Sequence, residues 1–160
     1  MTFKFMDFYL DNEIPMSARE LWQILYTPEF DAFLEKEYGH KAYVELERES
    51  SDRMMRRRVK IISKVDLSEM DLNYVARKIA QKILNRDQLG YEVIQEKYFD
   101  PFEMRWKVEP PLFKDKFQAY GVLRLEPIDE NRCLRIIEGT VHVGIPGLDG
   151  LLERIVALNI

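Results

Sequence analysis

The chain has 160 residues and one cysteine, Cys133, so no disulfide can close within it. Its two histidines, His40 and His142, stand about a hundred residues apart, and no Cys/His cluster has the spacing of a zinc site. No uninterrupted apolar run approaches the roughly eighteen residues that a membrane-spanning helix needs. The N-terminus lacks the basic flank and apolar core of a secretory signal, and the default expectation is a cytoplasmic protein. Basic residues are not in excess: the formal net charge is -4, against a protein whose main partner is nucleic acid.

What remains is ordinary in composition and rich in bulky groups. Hydrophobic residues make up 46% and charged residues 32%, and nine Phe, eight Tyr and two Trp are too many large side chains for a disordered chain. The length suits one domain over residues 1–160, with a core built by packing alone. The pattern stops inside a helical run at Leu158-Asn159-Ile160, which reads as a terminal helix cut short.

Along the chain, Thr2 to Ile14 suits a strand. Ser17-Ala18-Arg19-Glu20 is a capping box that opens a short helix carrying Leu21, Trp22, Ile24 and Leu25. Thr27-Pro28-Glu29 repeats the start signal for a second short helix with Phe30, Phe33 and Leu34, ending near Gly39. From Lys41 to Val65 the period is two, around a polar turn at Ser50-Ser51-Asp52-Arg53. A hairpin closed there places Glu47 opposite Arg56 and Glu45 opposite Arg58. It turns Ala42, Val44, Leu46, Met55, Val59 and Ile61 to the core, together with Arg48 and Arg57.

A further capping box at Asp66-Leu67-Ser68-Glu69 precedes an amphipathic helix at about 68–84, through Leu72, Val75, Ala76, Ile79 and Ile83. Four strands follow, at about Tyr91–Phe99, Phe102–Val108, Phe117–Leu125 and Cys133–Val143, separated by polar or proline-rich turns. In Phe102 to Val108 every apolar residue alternates with a charged one, which gives one dry face and one wet face. After Pro146-Gly147-Leu148-Asp149-Gly150, residues Leu151, Leu152, Ile155, Val156 and Leu158 open a last helix.

This order of elements resembles the START-like superfamily of helix-grip proteins, over essentially the whole chain. The stretch Thr140-Val141-His142-Val143-Gly144-Ile145-Pro146-Gly147-Leu148-Asp149-Gly150-Leu151-Leu152-Glu153 is similar to the last strand and terminal helix of an uncharacterised, largely bacterial branch. It is similar, more loosely, to START-related sterol-transfer domains. Ile14-Pro15-Met16-Ser17-Ala18-Arg19-Glu20-Leu21-Trp22 resembles the superfamily's first strand-to-helix junction. The resemblance implies an α+β fold: a curved antiparallel sheet of about seven strands wrapped around a long C-terminal helix, with an apolar cavity between them. The cavity walls would be Arg57, Val59, Met104, Trp106, Phe117, Leu123, Leu125, Val141, Leu152 and Ile155. The inserted helix is longer than in the simplest members, as a lid would be.

Arg57 is the polar candidate. Burying a guanidinium without a partner is costly, so a bound carboxylate or phosphate would meet it there; alternatively it reaches water near the strand end, or a bulge turns it outward. Tyr91, Tyr98 and Tyr120 could offer hydroxyls to the same ligand. The Arg56-Arg57-Arg58 run divides between two faces and reads as a solvated, ion-paired strand. His142 and Cys133 form no catalytic arrangement visible in the sequence, and no metal or cofactor is implied. The reading is a carrier for a hydrophobic, lipid-like or sterol-like molecule, with transient membrane contact as its route of loading. The alternatives are a cyclase- or hydrolase-type enzyme on the same fold, and an interaction module with a filled core.

Overall fold

The computed structural model describes residues 4–38, 41–63, 91–109 and 117–143, together with Tyr74 and Lys78. The elements are β1 (Lys4–Ile14), α1 (Ala18–Ile24), α2 (Pro28–Tyr38), β2 (Lys41–Ser50), β3 (Met54–Ser63), β4 (Tyr91–Tyr98), β5 (Glu103–Glu109), β6 (Phe117–Asp129) and β7 (Arg132–Val143). The strands form one antiparallel sheet in the order β1-β7-β6-β5-β4-β3-β2. Tyr74 and Lys78, from the expected inserted helix, are both helical, with the Lys78 ammonium 4.6 Å from the Tyr74 ring centre. The rest of that helix, Gly39, His40 and the expected terminal helix with Leu152 and Ile155 lie outside the described residues, as does the Phe117 side chain.

Both short helices start where their caps dictate. The Ser17 hydroxyl accepts from the Glu20 N–H at 3.2 Å. The Thr27 hydroxyl accepts from the Phe30 N–H at 3.2 Å, with Pro28 at the first helical position. Between them Tyr26 holds a left-handed backbone with φ 65, a conformation that costs a non-glycine residue about 1–3 kcal/mol unless neighbours impose it. Here Arg48 donates to the Tyr26 carbonyl at 2.8 Å. Helix α1 buries Ala18, Leu21 and Trp22 against the sheet, and the Trp22 indole N–H donates to the Tyr98 carbonyl at 2.6 Å.

The β2–β3 hairpin departs from the expected register. Its turn closes one step later, with the Ser51 N–H donating to the Met54 carbonyl, so Glu47 faces Arg58 and Glu49 faces Arg56. A bulge between Glu45 and Glu47 then shifts the ladder by one residue, and Glu45 faces Val59. Side chains alternate with period two, so a one-residue bulge exchanges the faces of everything before it. Val44 and Leu46, expected in the core, are exposed, and Tyr43 packs against the core instead. On β3 the expected inward set, Met55, Arg57, Val59 and Ile61, is buried.

Candidate functional site

Cross-strand pairing places four rows of side chains on the core face. One row, Val59, Val93, Val108, Ala119 and Val141, is apolar from β3 to β7, with Glu45 opposite Val59 on β2. One level along, a row crosses all seven strands through Arg48, Arg57, Gln95, Trp106, Gly121, Gly139 and Phe8. The next holds Met55, Lys97, Met104, Leu123, Ile137 and Leu10. Of the expected cavity residues, Val59, Met104, Trp106, Leu123, Leu125 and Val141 therefore share one buried face with Arg57.

The glycines in the Arg57–Trp106 row act through what they lack. A Cβ on Gly121 would lie 2.6 Å from Trp106 Cζ2, and one on Gly139 would lie 2.6 Å from Phe8 Cζ. The two rings, stacked with centres 6.1 Å apart, thus rest directly on strand backbone. The sequence carried this signal as single glycines inside two strand patterns.

Arg57 is 2% exposed, and each of its guanidinium nitrogens meets a protein group. Nε donates to the Gln95 side-chain oxygen at 2.6 Å, Nη1 to Asp31 Oδ2 at 2.6 Å, and Nη2 to Asp31 Oδ1 at 3.3 Å. Glu45 stands 3.5 Å from Nη1, and the guanidinium lies 5.2 Å from the Tyr26 ring centre. The partner that the sequence reading sought in a ligand is supplied by α2. Asp31 could not be linked to Arg57 from sequence, because α2 reaches β3 only through the tertiary fold. Hydrogen bonding from Arg48 holds the Glu45 carboxyl below its ordinary range.

Lys97 is the second buried cation. Its ammonium donates to the Leu25 carbonyl at the end of α1 at 2.8 Å and lies 5.3 Å from the Trp22 ring centre. Burial, together with the positive charges of Arg48 and Arg57, pushes it down to about 8. On the outer face, by contrast, Arg58 sits among Glu47, Glu92 and Glu109, with Glu109 at 2.7 Å.

Two tyrosines mark the other end of the core face. Tyr43, Ile61 and Tyr91 form a cross-strand row next to the valine row. Tyr91 is 9% exposed, and its hydroxyl is buried without a hydrogen-bond partner among the described residues. Burial raises the Tyr91 phenol well above its ordinary range and pushes Tyr43 up to about 12, so both hydroxyls stay protonated at neutral pH. Tyr98 and Tyr120 do not join them: Tyr120, paired with Thr140 and Lys107, lies on the outer face and is exposed. His142, paired with Gln118 and Phe5, also lies on that face. Cys133 is buried in the core, and desolvation raises its thiol.

An open concavity of about 750 Å³ is lined by Tyr9, Arg105, Tyr120, Val122, Glu138 and Thr140, among others. By register these six share the face turned away from the core; Phe8, Trp106, Gly121 and Gly139 of the core face also line the concavity, so of the expected cavity residues Trp106 borders it. Its charged rim is paired within the protein, Glu138 with Arg124 at 3.1 Å and Asp7 with the Thr140 hydroxyl at 2.8 Å. Among the described residues no group of His, Cys, Asp and Glu could hold a metal ion, and no helix is long and apolar enough to cross a membrane.

No protein-family model and no curated protein sequence matches this chain. Solved structures do. Norcoclaurine synthase from Thalictrum flavum, in complex with dopamine and hydroxybenzaldehyde, aligns with a TM-score of 0.58 at 11% identity, over 96% of this chain and 78% of that one. A START superfamily protein from Mycobacterium smegmatis aligns with a TM-score of 0.52 at 13% identity, over 96% and 88%. The Zhui aromatase/cyclase from Streptomyces sp. R1128 aligns with a TM-score of 0.52 at 11% identity, over 92% and 73%. The chain has the START-like fold, as its order of elements led us to expect.

Proposed function

We propose that the protein binds a hydrophobic small molecule, lipid-like or sterol-like, against the core face of its sheet. The observation that carries this reading is the make-up of that face: Val59, Val93, Ala119 and Val141 form one buried apolar row across it, beside the enclosed Tyr91 hydroxyl. α1 and α2 supply partners for Lys97 and Arg57 at two adjacent levels, and the valine row and the Tyr43–Tyr91 row lie beyond them. In this reading the ligand lies between those rows and the terminal segment carrying Leu152 and Ile155, with Phe117 on the wall, in an apolar site with few polar contacts. The START-like neighbours support it, since one of them is described with small molecules bound. Loading by transient contact with a membrane or another carrier follows from the low solubility of such a ligand.

Native mass spectrometry of the protein purified from its own cells, under gentle and denaturing conditions, tests this. A discrete mass lost on denaturation is the expected result. A clean apo mass, combined with no uptake of an uncharged apolar fluorophore, overturns it in favour of a filled core.

A further inference from the structure

The core face carries four buried polar side chains, Arg57, Gln95, Lys97 and Tyr91, of different standing. Arg57 is bound by Asp31, Gln95 and Glu45, and Lys97 by the Leu25 carbonyl, so both cations answer to protein acceptors. The Tyr91 hydroxyl is different: it is enclosed, and no donor or acceptor among the described residues reaches it. Its neighbours in the pairing are Ile61, 2% exposed, and, two residues along β4, Val93, 6% exposed. A hydroxyl buried in such surroundings without a partner costs about 1–3 kcal/mol. Native proteins keep such a group where something else completes it.

We propose that Tyr91 is the polar anchor of the ligand site, its hydroxyl donating to one oxygen of an uncharged, otherwise apolar molecule. This rests on the carrier reading above. The phenol remains protonated, so it acts as the donor and the ligand presents an acceptor, such as a ketone, ester or hydroxyl oxygen. The ligand is uncharged because the two buried cations on this face, and Arg48 at its edge, are already engaged, and a desolvated carboxylate or phosphate there would stay unpaired. Tyr43, on the same row two strands away, is the neighbouring phenol of the site. The anchor thus lies at the end of the sheet away from Arg57, at one of the three tyrosines offered beside it by the sequence.

The variant Tyr91→Phe removes one oxygen and tests the assignment with two fluorophores: Prodan, an uncharged naphthalene ketone, and dimethylnaphthylamine, which lacks the ketone. The variant is expected to bind Prodan about five- to tenfold more weakly and with blue-shifted emission, while its affinity for dimethylnaphthylamine is unchanged. In the ligand-free protein the same change has the opposite sign. It removes an unpaired hydroxyl, so Tyr91→Phe is expected to melt about 2–4 °C above the wild type. Unchanged Prodan affinity and emission overturns the anchor and leaves the carrier reading standing. A lower melting temperature for the ligand-free variant also overturns it, because the hydroxyl then has a structural partner. Failure of the wild type to bind either fluorophore overturns the carrier reading and the anchor together.

Discussion

The buried pair between Arg57 and Asp31 makes the sharpest stability prediction. Asp31→Asn keeps the shape of the side chain but removes its charge and replaces one acceptor oxygen with a donor facing the guanidinium. Arg57, at 2% exposure, has no route to water without moving β3. Removing one partner of a buried ion pair costs about 3–5 kcal/mol. Gln95 and Glu45 remain, at 2.6 and 3.5 Å, and Glu45 is partly exposed, so part of the loss is recovered and about 2–4 kcal/mol is expected. For a chain of this size that corresponds to a fall in Tm of roughly 5–15 °C. Urea unfolding followed by circular dichroism measures the free energy, and thermal scans measure the shift. The double variant Arg57→Met with Asp31→Leu removes both charges, and it should regain most of the stability lost by Asp31→Asn, because apolar replacement of a buried pair is close to neutral. Asp31→Asn within about 0.5 kcal/mol of the wild type would refute the reasoning, since surface substitutions behave in that way.

Lys97 makes a prediction of pH dependence. Its folded value is depressed from 10.5 to about 8, so between these pH values the unfolded chain holds a proton that the folded chain has released. Stability of the wild type relative to Lys97→Met should therefore rise from about pH 8 to 10.5, measured by urea unfolding at a series of pH values; a flat difference would remove the case for a depressed lysine. Gly121→Ala and Gly139→Ala should each cost about 1–3 kcal/mol by overpacking. Gly121→Ala should cost more, because its added methyl meets the Glu138 carbonyl as well as Trp106, and backbone cannot rotate away. Equal stability of both variants with the wild type would show that the rings do not rest on the strands. Trp22→Phe removes the hydrogen bond to the Tyr98 carbonyl and should cost about 1 kcal/mol beyond the loss of ring area, read from the same unfolding curves.

Much of the architecture was legible from local chemistry. Ser17 and Thr27 mark helix starts because their hydroxyls satisfy backbone donors within three residues, and the structure uses both in this way. Alternation along Phe102 to Val108 assigned Met104 and Trp106 to the core, where they are buried. Arg57 was identified as the unusual inward residue for the same reason. The bulge was not legible: Val44 and Leu46 are as apolar as core residues, and only the pairing with β3 shows that they face outward.

The sequence by itself determined the order of the two short helices and seven strands, the START-like character of that order, and which residues share a face on β3 to β7, because caps and period-two alternation act within a few residues. Tertiary structure alone decided the polar partners. Asp31 is 26 residues from Arg57, and Leu25 is 72 residues from Lys97. Pairing at such distances depends on how α1 and α2 sit on the sheet, and so does the isolation of the Tyr91 hydroxyl. A buried polar group is satisfied or left open by what the whole chain brings to it, and no local pattern encodes that.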